Sequence, residues 1–395
     1  MFAPYRSFVG PLAGLTFLFA TLHCGDDATE GATGSDAGVD RGTTNEGGAS
    51  TTSPPAECAS EAAGVAQAVC AANAFLAALS DTQKTAANPA YTDKASRTKW
   101  SNLPGQERPG LQMGDLTEAQ QEAALAMMAT VLTTHGLAEL TGIRAADDYL
   151  AAQQGGGGGG GGGGYGSSLY HVAVFGTPST TDEWEVMFGG HHMAFNVNYV
   201  GGVGYPVPNH AGVEPKGTFT QGGSTYAPLD PKANALVAVF DALDSATFSN
   251  AHLSGTYGDV VVGPAEYGTG SYANAAAKFP TGSNRTGVLV SSLPSATQAL
   301  VTAAIELWVR DYAPETADAL LADYTSSTAY ADTYVAWGGT ASTKIDVDVS
   351  GTYMRIDGPR AWIELSCQSG AVIQGQTHYH TIYRDRSFDY GDQLQ

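Results

Sequence analysis

The sequence predicts an α+β fold, with N-terminal helices and a helical middle packed on a mostly antiparallel sheet that the C-terminal strands complete. Three observations lead there. Apolar residues recur at helical spacing before Gly155 and again between Pro231 and Tyr324. A period of two governs Leu169 to Val200. The same alternation returns from Tyr334 to Tyr383, in short runs separated by Gly, Asp, Ser or Pro. Strands that bracket a helical block, rather than alternate with single helices, are the α+β pattern.

Taken from the N-terminus, residues 1–24 read as an export signal: Arg6 precedes an apolar run from Phe8 to Leu22 that stops at Cys24-Gly25-Asp26-Asp27. A lipoprotein signal would place lipid on Cys24 and tether the chain to the cell envelope. His23 occupies a position where a small residue is usual, so cleaved secretion to the periplasm or medium is the alternative. Residues 25–56 are Asp, Gly, Thr, Ser and Ala with almost no large apolar side chain, a composition that cannot offset ordering entropy and predicts a disordered tether. Residues 57–395 then form a single α+β domain.

Within that domain Glu57 to Leu79 predicts a helix, its stripe being Val65, Val69, Phe75, Leu76 and Leu79. A second helix opens at Thr117, where Gln120 three residues on makes a capping box. Ten consecutive glycines, Gly155 to Gly164, have no side chains to pack and predict a flexible insertion; no Lys-Ser or Lys-Thr follows to make a phosphate loop. Leu169–Phe175, Trp184–Phe188 and Met193–Val200 read as strands, Pro231–Leu243, Pro294–Tyr312 and Pro314–Tyr324 as helices. Tyr334–Trp337, Ile345–Val349, Tyr353–Ile356, Ala361–Leu365 and His378–Tyr383 are the closing strands.

Charge narrows the function classes. With 18 basic against 39 acidic side chains the net charge is −21, which opposes nucleic-acid binding because phosphate contacts need clustered Lys and Arg. Four cysteines are present; with Cys24 assigned to lipid, Cys58 and Cys70 are the natural bridge in an oxidising compartment, and Cys367 is left single. The competing reading of the pair is two small apolar side chains in one Ala-rich helix.

Histidine clustering is the most informative chemical feature. His378 and His380 are two apart on a predicted strand, so both imidazoles project from one face and can reach one ion or substrate. His191 and His192 are adjacent, which on a strand sends them to opposite faces; His192 then shares the polar face of Ala194, Asn196 and Asn198, and His191 the apolar face of Met193 and Phe195. The expected ligand set is therefore His192, His378 and His380, with His191 as a fourth ligand or base. Asp385 is placed to orient an imidazole and Arg384 to join the catalytic set; an Arg–Asp structural pair is the other reading. Arg355 and Arg360 could grip a carboxylate or pair with Asp357 and Glu364, and Glu214 is a weak candidate oxygen ligand or base.

The segments "WSNLPGQERPGLQMGDLTEAQ", "FGTPSTTDEWEVMFGGHHMAFNV", "YMRIDGPRAWIEL" and "HYHTIYRDRSFDYGDQL" resemble, in order, the bacterial domain-of-unknown-function family 3500, over about residues 71 to 395. The resemblance implies that Gly190, His191, His192, His378, His380, Arg384 and Asp385 match the family's elements; it implies no reaction. The function expected from these readings is a metal-dependent enzyme outside the cytoplasm with zinc, copper or iron on imidazole ligands. Redox chemistry is slightly favoured over hydrolysis, because no carboxylate base is assigned. The rival is a non-catalytic envelope protein that binds a small molecule or polymer through Trp100, Trp184, Trp337 and Tyr379, with the histidines as a polar core.

Overall fold

A computed structural model describes residues 52–154, 164–264 and 276–392, all within the compact unit Gly47–Gln395. The export signal, nearly all of the tether and all but the last residue of the polyglycine tract lie outside the described residues. Among the described residues no helix is long and apolar enough to cross a membrane.

The α+β expectation is met. Among the described residues there are fourteen strands, in chain order: β1 (Leu111–Gln112), β2 (His171–Phe175), β3 (Trp184–Gly190), β4 (Met193–Val200), β5 (Val203–Tyr205), β6 (Asn209–Val213), β7 (Phe219–Gln221), β8 (Ser224–Tyr226), β9 (His252–Leu253), β10 (Val288–Leu289), β11 (Tyr334–Gly338), β12 (Tyr353–Asp357), β13 (Ala361–Ser369) and β14 (Thr377–Asp385). Twelve of them form one sheet along the path β1-β2-β3-β4-β6-β14-β13-β12-β11-β10, with β5 on β4 and β9 on β11; β7 and β8 make a separate hairpin. Among the described strands only β9, on β11, pairs parallel. The C-terminal strand β14 sits mid-sheet, between β6 and β13, and so joins the N-terminal and C-terminal strands.

Period two divides this sheet into two faces. On one face Val186, Phe195, Val197, Ile363, Leu365 and Tyr383 share a core with Met128, Leu236, Val301, Ile305 and Trp308 from the helices Glu118–Val131, Asp230–Asp241 and Ser295–Val309. The other face carries Glu185, Asn196, Asn198, His210, Glu364, His378, His380 and Arg384, and is covered by loops. Buried side chains hold those loops down. Arg97 donates to Glu185 at 2.6 Å, to Asn198 at 2.8 Å and to the Tyr390 carbonyl at 2.9 Å. Trp100 Nε1 donates to the Tyr390 hydroxyl at 2.7 Å.

Two expected elements differ. The helix expected over Glu57–Leu79 runs only from Val65 to Ala77, after a short 3-10 turn at Ala56–Cys58. In a continuous helix two residues twelve apart stand about 18 Å from one another. The Cys58–Cys70 disulfide holds those Cα atoms at 5.7 Å, so the chain folds back, and it does so beside Gly64 at φ 83°. Ile345–Val349 is a turn rather than a strand, because Asp346 accepts from the Asp348 amide at 2.9 Å through its side chain and from the Thr352 hydroxyl at 2.7 Å through its carbonyl. The Thr117/Gln120 capping box is present as expected.

Candidate metal centre

The site assembles at the junction of β3, β4, β6 and β14. β3 and β4 are joined by a two-residue turn, and that turn is His191-His192. Neither residue lies on a strand, so the parity expected from the sequence does not apply, and both rings stay together, stacked with centroids 3.7 Å apart. His192 has φ 61°, a conformation costing a non-glycine residue roughly 1–3 kcal/mol. Three hydrogen bonds hold the turn in it: Tyr170 hydroxyl to the His191 carbonyl at 2.7 Å, His192 amide to the Asn102 carbonyl at 3.1 Å, and Gly212 amide to the His192 carbonyl at 2.6 Å.

β14 brings His378 and His380 up on the loop-covered face, as period two requires, and His380 stands opposite Gly212 of β6. Glycine is needed there. A Cβ at 212 would come within 2.9 Å of both His192 Cδ2 and His380 Cδ2, so any side chain would push apart the rings that meet above it. Donor atoms of His192, His378 and His380 lie within 4.8 Å of one another, and all three residues are buried. Their ring centroids are separated by 5.3, 4.9 and 4.9 Å. Three imidazoles bound tetrahedrally to one ion at about 2.0–2.1 Å would have centroids about 5 Å apart, so the rings stand close to a ligating arrangement.

Their protonation suits the same role. Burial, reinforced by the neighbouring imidazoles, holds His192 well below the usual histidine range and lowers His378 to about 3, which leaves neutral rings with available lone pairs. His380 Nδ1 is 2.9 Å from Asp259 Oδ1, and its Nε2 has no hydrogen-bond partner. A proton on Nδ1 shared with that carboxylate leaves the Nε2 lone pair for a cation, as carboxylate–histidine pairs at metals do. Burial raises the Asp259 carboxyl, but the hydrogen bond and charge of His380 outweigh it and the net shift is downward. Gln368 Nε2 at 2.8 Å and Asn102 Nδ2 at 3.4 Å also face His380 Nδ1; both are donors, so they bond only the other tautomer and compete with the Asp259 pairing. On the other side His191 Nδ1 is 2.5 Å from Asp147 Oδ1, and Asp147, His191 and His192 form a second buried group with donor atoms within 4.8 Å. Each of the two groups can hold a metal ion.

A family model described as a protein of unknown function (DUF3500) matches residues 61–392. The chain belongs to the DUF3500 family. No curated protein matches it, and no solved structure does.

In this DUF3500 member the expected ligands His192, His378 and His380 do converge, and His191 lies against them, but the other expected residues take different places. Arg384 shares the face of His378 and His380 and acts as a clamp. It pairs with Asp389 at 2.7 Å and donates to the carbonyls of Val262 at 2.8 Å and Gly263 at 2.6 Å. Together with Glu364, which accepts from the Val261 and Val262 amides, it anchors the loop that carries Asp259 to His380. Asp385 is one residue on and therefore on the opposite, helix-covered face, bound to Arg360 at 2.6 Å and to the Tyr324 hydroxyl at 2.6 Å. It cannot orient a cluster imidazole; Asp147 and Asp259 stand in that role. Arg355 lies 3.8 Å from Asp357, and Glu214 accepts from the amides of Val372 at 2.9 Å and Ile373 at 2.6 Å, holding the turn before β14. Trp100, Trp184, Trp337 and Tyr379 are all buried, so none offers a face to a polymer.

The sequence reading passed over His210, Asp147 and Asp259. His210 on β6 is fully buried, its ring 5.3 Å from His380, with burial lowering it to about 3. Its signal was present as His210-x-Gly212, an alternation that puts a ring and a gap on one face. Asp147 and Asp259, in the helix Thr134–Gln153 and in a loop, carry no local signal.

Proposed function

We propose that this DUF3500 member is a metal-dependent enzyme that works outside the cytoplasm, with a transition-metal ion held by His192, His378 and His380. The observation that carries the reading is the convergence of three buried imidazoles, His378 and His380 lying more than 180 positions after His192 in sequence, into a set of donors within 4.8 Å. Neutral imidazole donors suit zinc, copper or iron. A cation bound there would act as a Lewis acid on water or on a substrate oxygen. Around it the chain's own residues orient and exclude: Asp259 fixes the His380 ring, the turn hydrogen bonds fix His192, and Asn102 covers the cluster from the 100–108 loop. The redox preference expected from the sequence rested on the lack of an assigned carboxylate. Asp147, beside His191, supplies one, and hydrolysis is the better supported chemistry. Export is part of the proposal, with Cys24 as the anchor; the Cys58–Cys70 bridge supports an oxidising compartment.

The test is metal analysis of the full chain purified without added ions, then dialysed against zinc, copper or iron in turn. Tight uptake by wild type, lost in the His378→Ala/His380→Ala double variant while far-ultraviolet circular dichroism is retained, is the expected result. A wild-type protein that neither carries nor takes up any of the three ions would end the reading.

A further inference from the structure

We propose that a cavity in the helical layer, floored by the Glu139 carboxylate, is a binding site for a small primary amine in its ammonium form. It lies apart from the histidine cluster: Glu139 and Asp147 share one helix but stand eight residues, about 12 Å, from one another. The proposal therefore does not depend on the metal-dependent reading. The cavity measures about 230 Å³. At roughly 30 Å³ for each water-sized group, that is room for about seven non-hydrogen atoms. One wall is a single face of the helix Thr134–Gln153, where His135, Ala138 and Glu139 follow one another at helical spacing. The opposite wall runs from β8 into the helix Asp230–Asp241 and includes Tyr226, Pro228 and Pro231. His135, Ala138 and Pro231 are exposed and form the mouth, while Glu139 is 2% exposed and forms the floor.

The charges beneath the floor set the ligand class. Lys232 Nζ donates to Glu139 Oε1 at 2.8 Å and to Asp311 Oδ2 at 2.6 Å. It also lies 2.6 Å from Glu139 Oε2, but off the line a hydrogen bond needs, so that oxygen accepts none. Asp311 Oδ1 is taken by His135 Nδ1 at 2.5 Å. One lysine between two carboxylates leaves 1 − 2 = −1 whenever His135 is neutral, although Lys232 and Asp311 are fully buried. A buried charge without a counter-charge is costly, so the group draws one more positive charge, a proton or a cation. Burial, with Asp311 beside it, raises the Glu139 carboxyl despite Lys232, which makes a proton the resident charge at low pH. His135, raised by its bond to Asp311, and Tyr312 are the other titratable groups that face this set. As pH rises, Glu139 and His135 shed their protons and the cavity becomes negative. An ammonium that donates to Oε2 then replaces the proton with a charge-assisted hydrogen bond. The walls choose among cations. A bare metal ion needs several donors where Glu139 offers one free oxygen, whereas the prolines, Ala138 and the Tyr226 ring suit a short apolar tail.

The experiment is a calorimetric titration of the full chain with n-pentylamine, and with 1-pentanol and pentanoate as its neutral and anionic counterparts. Wild type at pH 8 should bind one pentylammonium per chain, at least tenfold more tightly than either counterpart. The affinity should be at least threefold weaker at pH 6, and titrations at pH 7 in buffers of different ionisation heat should show protons released on binding. Glu139→Gln should weaken binding at least tenfold. Ala138→Trp, which fills the mouth from an exposed position and leaves every charge in place, should weaken it as much while the urea midpoint stays close to that of wild type. No binding by wild type, equal binding of pentanol or pentanoate, proton uptake in place of release, or unaltered binding by either variant overturns the proposal. Should Glu139→Gln fail to fold, Ala138→Trp and the comparison of the three ligands decide.

Discussion

On β14 the odd-numbered Tyr379, Thr381 and Tyr383 lie on the helix side, Thr381 accepting from Trp308 Nε1 at 2.9 Å, whereas His378, His380 and Arg384, one step along the same strand, lie under loops. The two faces are held by different physics. Apolar area removed from water stabilises the helix side, where aromatic and branched side chains fill one continuous core. On the loop side polar groups are buried, and the charged ones are tolerable because specific partners reach them: Glu185 has Arg97, Asp389 has Arg384, and Glu364 has two backbone amides, a tyrosine and a tryptophan. The difference teaches where chemistry can be placed. A regular helix covers a sheet with a repeating surface, but a loop can deliver one chosen group, such as Asp259, to one chosen ring.

Three substitutions probe that division. The largest effect is expected on the helix side: Phe195→Ala removes a fully buried ring and should cost about 3–5 kcal/mol in urea unfolding, while the folded fraction still takes up ions as wild type does. On the loop side Gly212→Ala should cost less stability, about 1–3 kcal/mol, because only two imidazoles must give way, yet lower ion affinity at least tenfold. If ion uptake followed Phe195 and ignored Gly212, the separation of scaffold face from site face would be lost.

The smallest effect is a pH dependence within the helical layer. His135 Nδ1 is 2.5 Å from Asp311 Oδ1, and that hydrogen bond raises the imidazole above its ordinary value despite partial burial. Because the folded-state value is the higher one, the stabilisation is complete below the unfolded histidine range and fades as pH rises through the raised value. His135 is 43% exposed, so solvent screening keeps the effect below ~1 kcal/mol. The difference in unfolding free energy between wild type and His135→Gln should therefore be greatest near pH 5 and shrink toward pH 9. A difference that grew with pH would show that His135 is held neutral.

Much of this was legible in the residues. Period two placed His378 and His380 on one face, the Thr117/Gln120 spacing marked a helix start, and Cys58 and Cys70 were rightly paired. The misreadings have separate causes. His191-His192 was read as strand because the alternation runs up to it on both sides, and only the pairing of Gly190 with Met193 makes it a turn. The helix at Glu57 was read too long because alanines favour helix throughout, while the disulfide demanded a break. The twenty-residue helix Thr134–Gln153, which carries Asp147, was not marked because its buried positions include Gly136, Glu139, Gly142 and Asp147.

By itself the sequence determined the periods, and hence the fold class and which neighbours along a strand share a face, because those follow from backbone geometry that every residue obeys. The tertiary structure alone decided that β6 lies between β4 and β14, with a glycine where two rings need room, and that Asp147 and Asp259 arrive beside histidines far away in the chain. Those meetings depend on how the sheet is ordered and how its loops are clamped, and no local pattern records either.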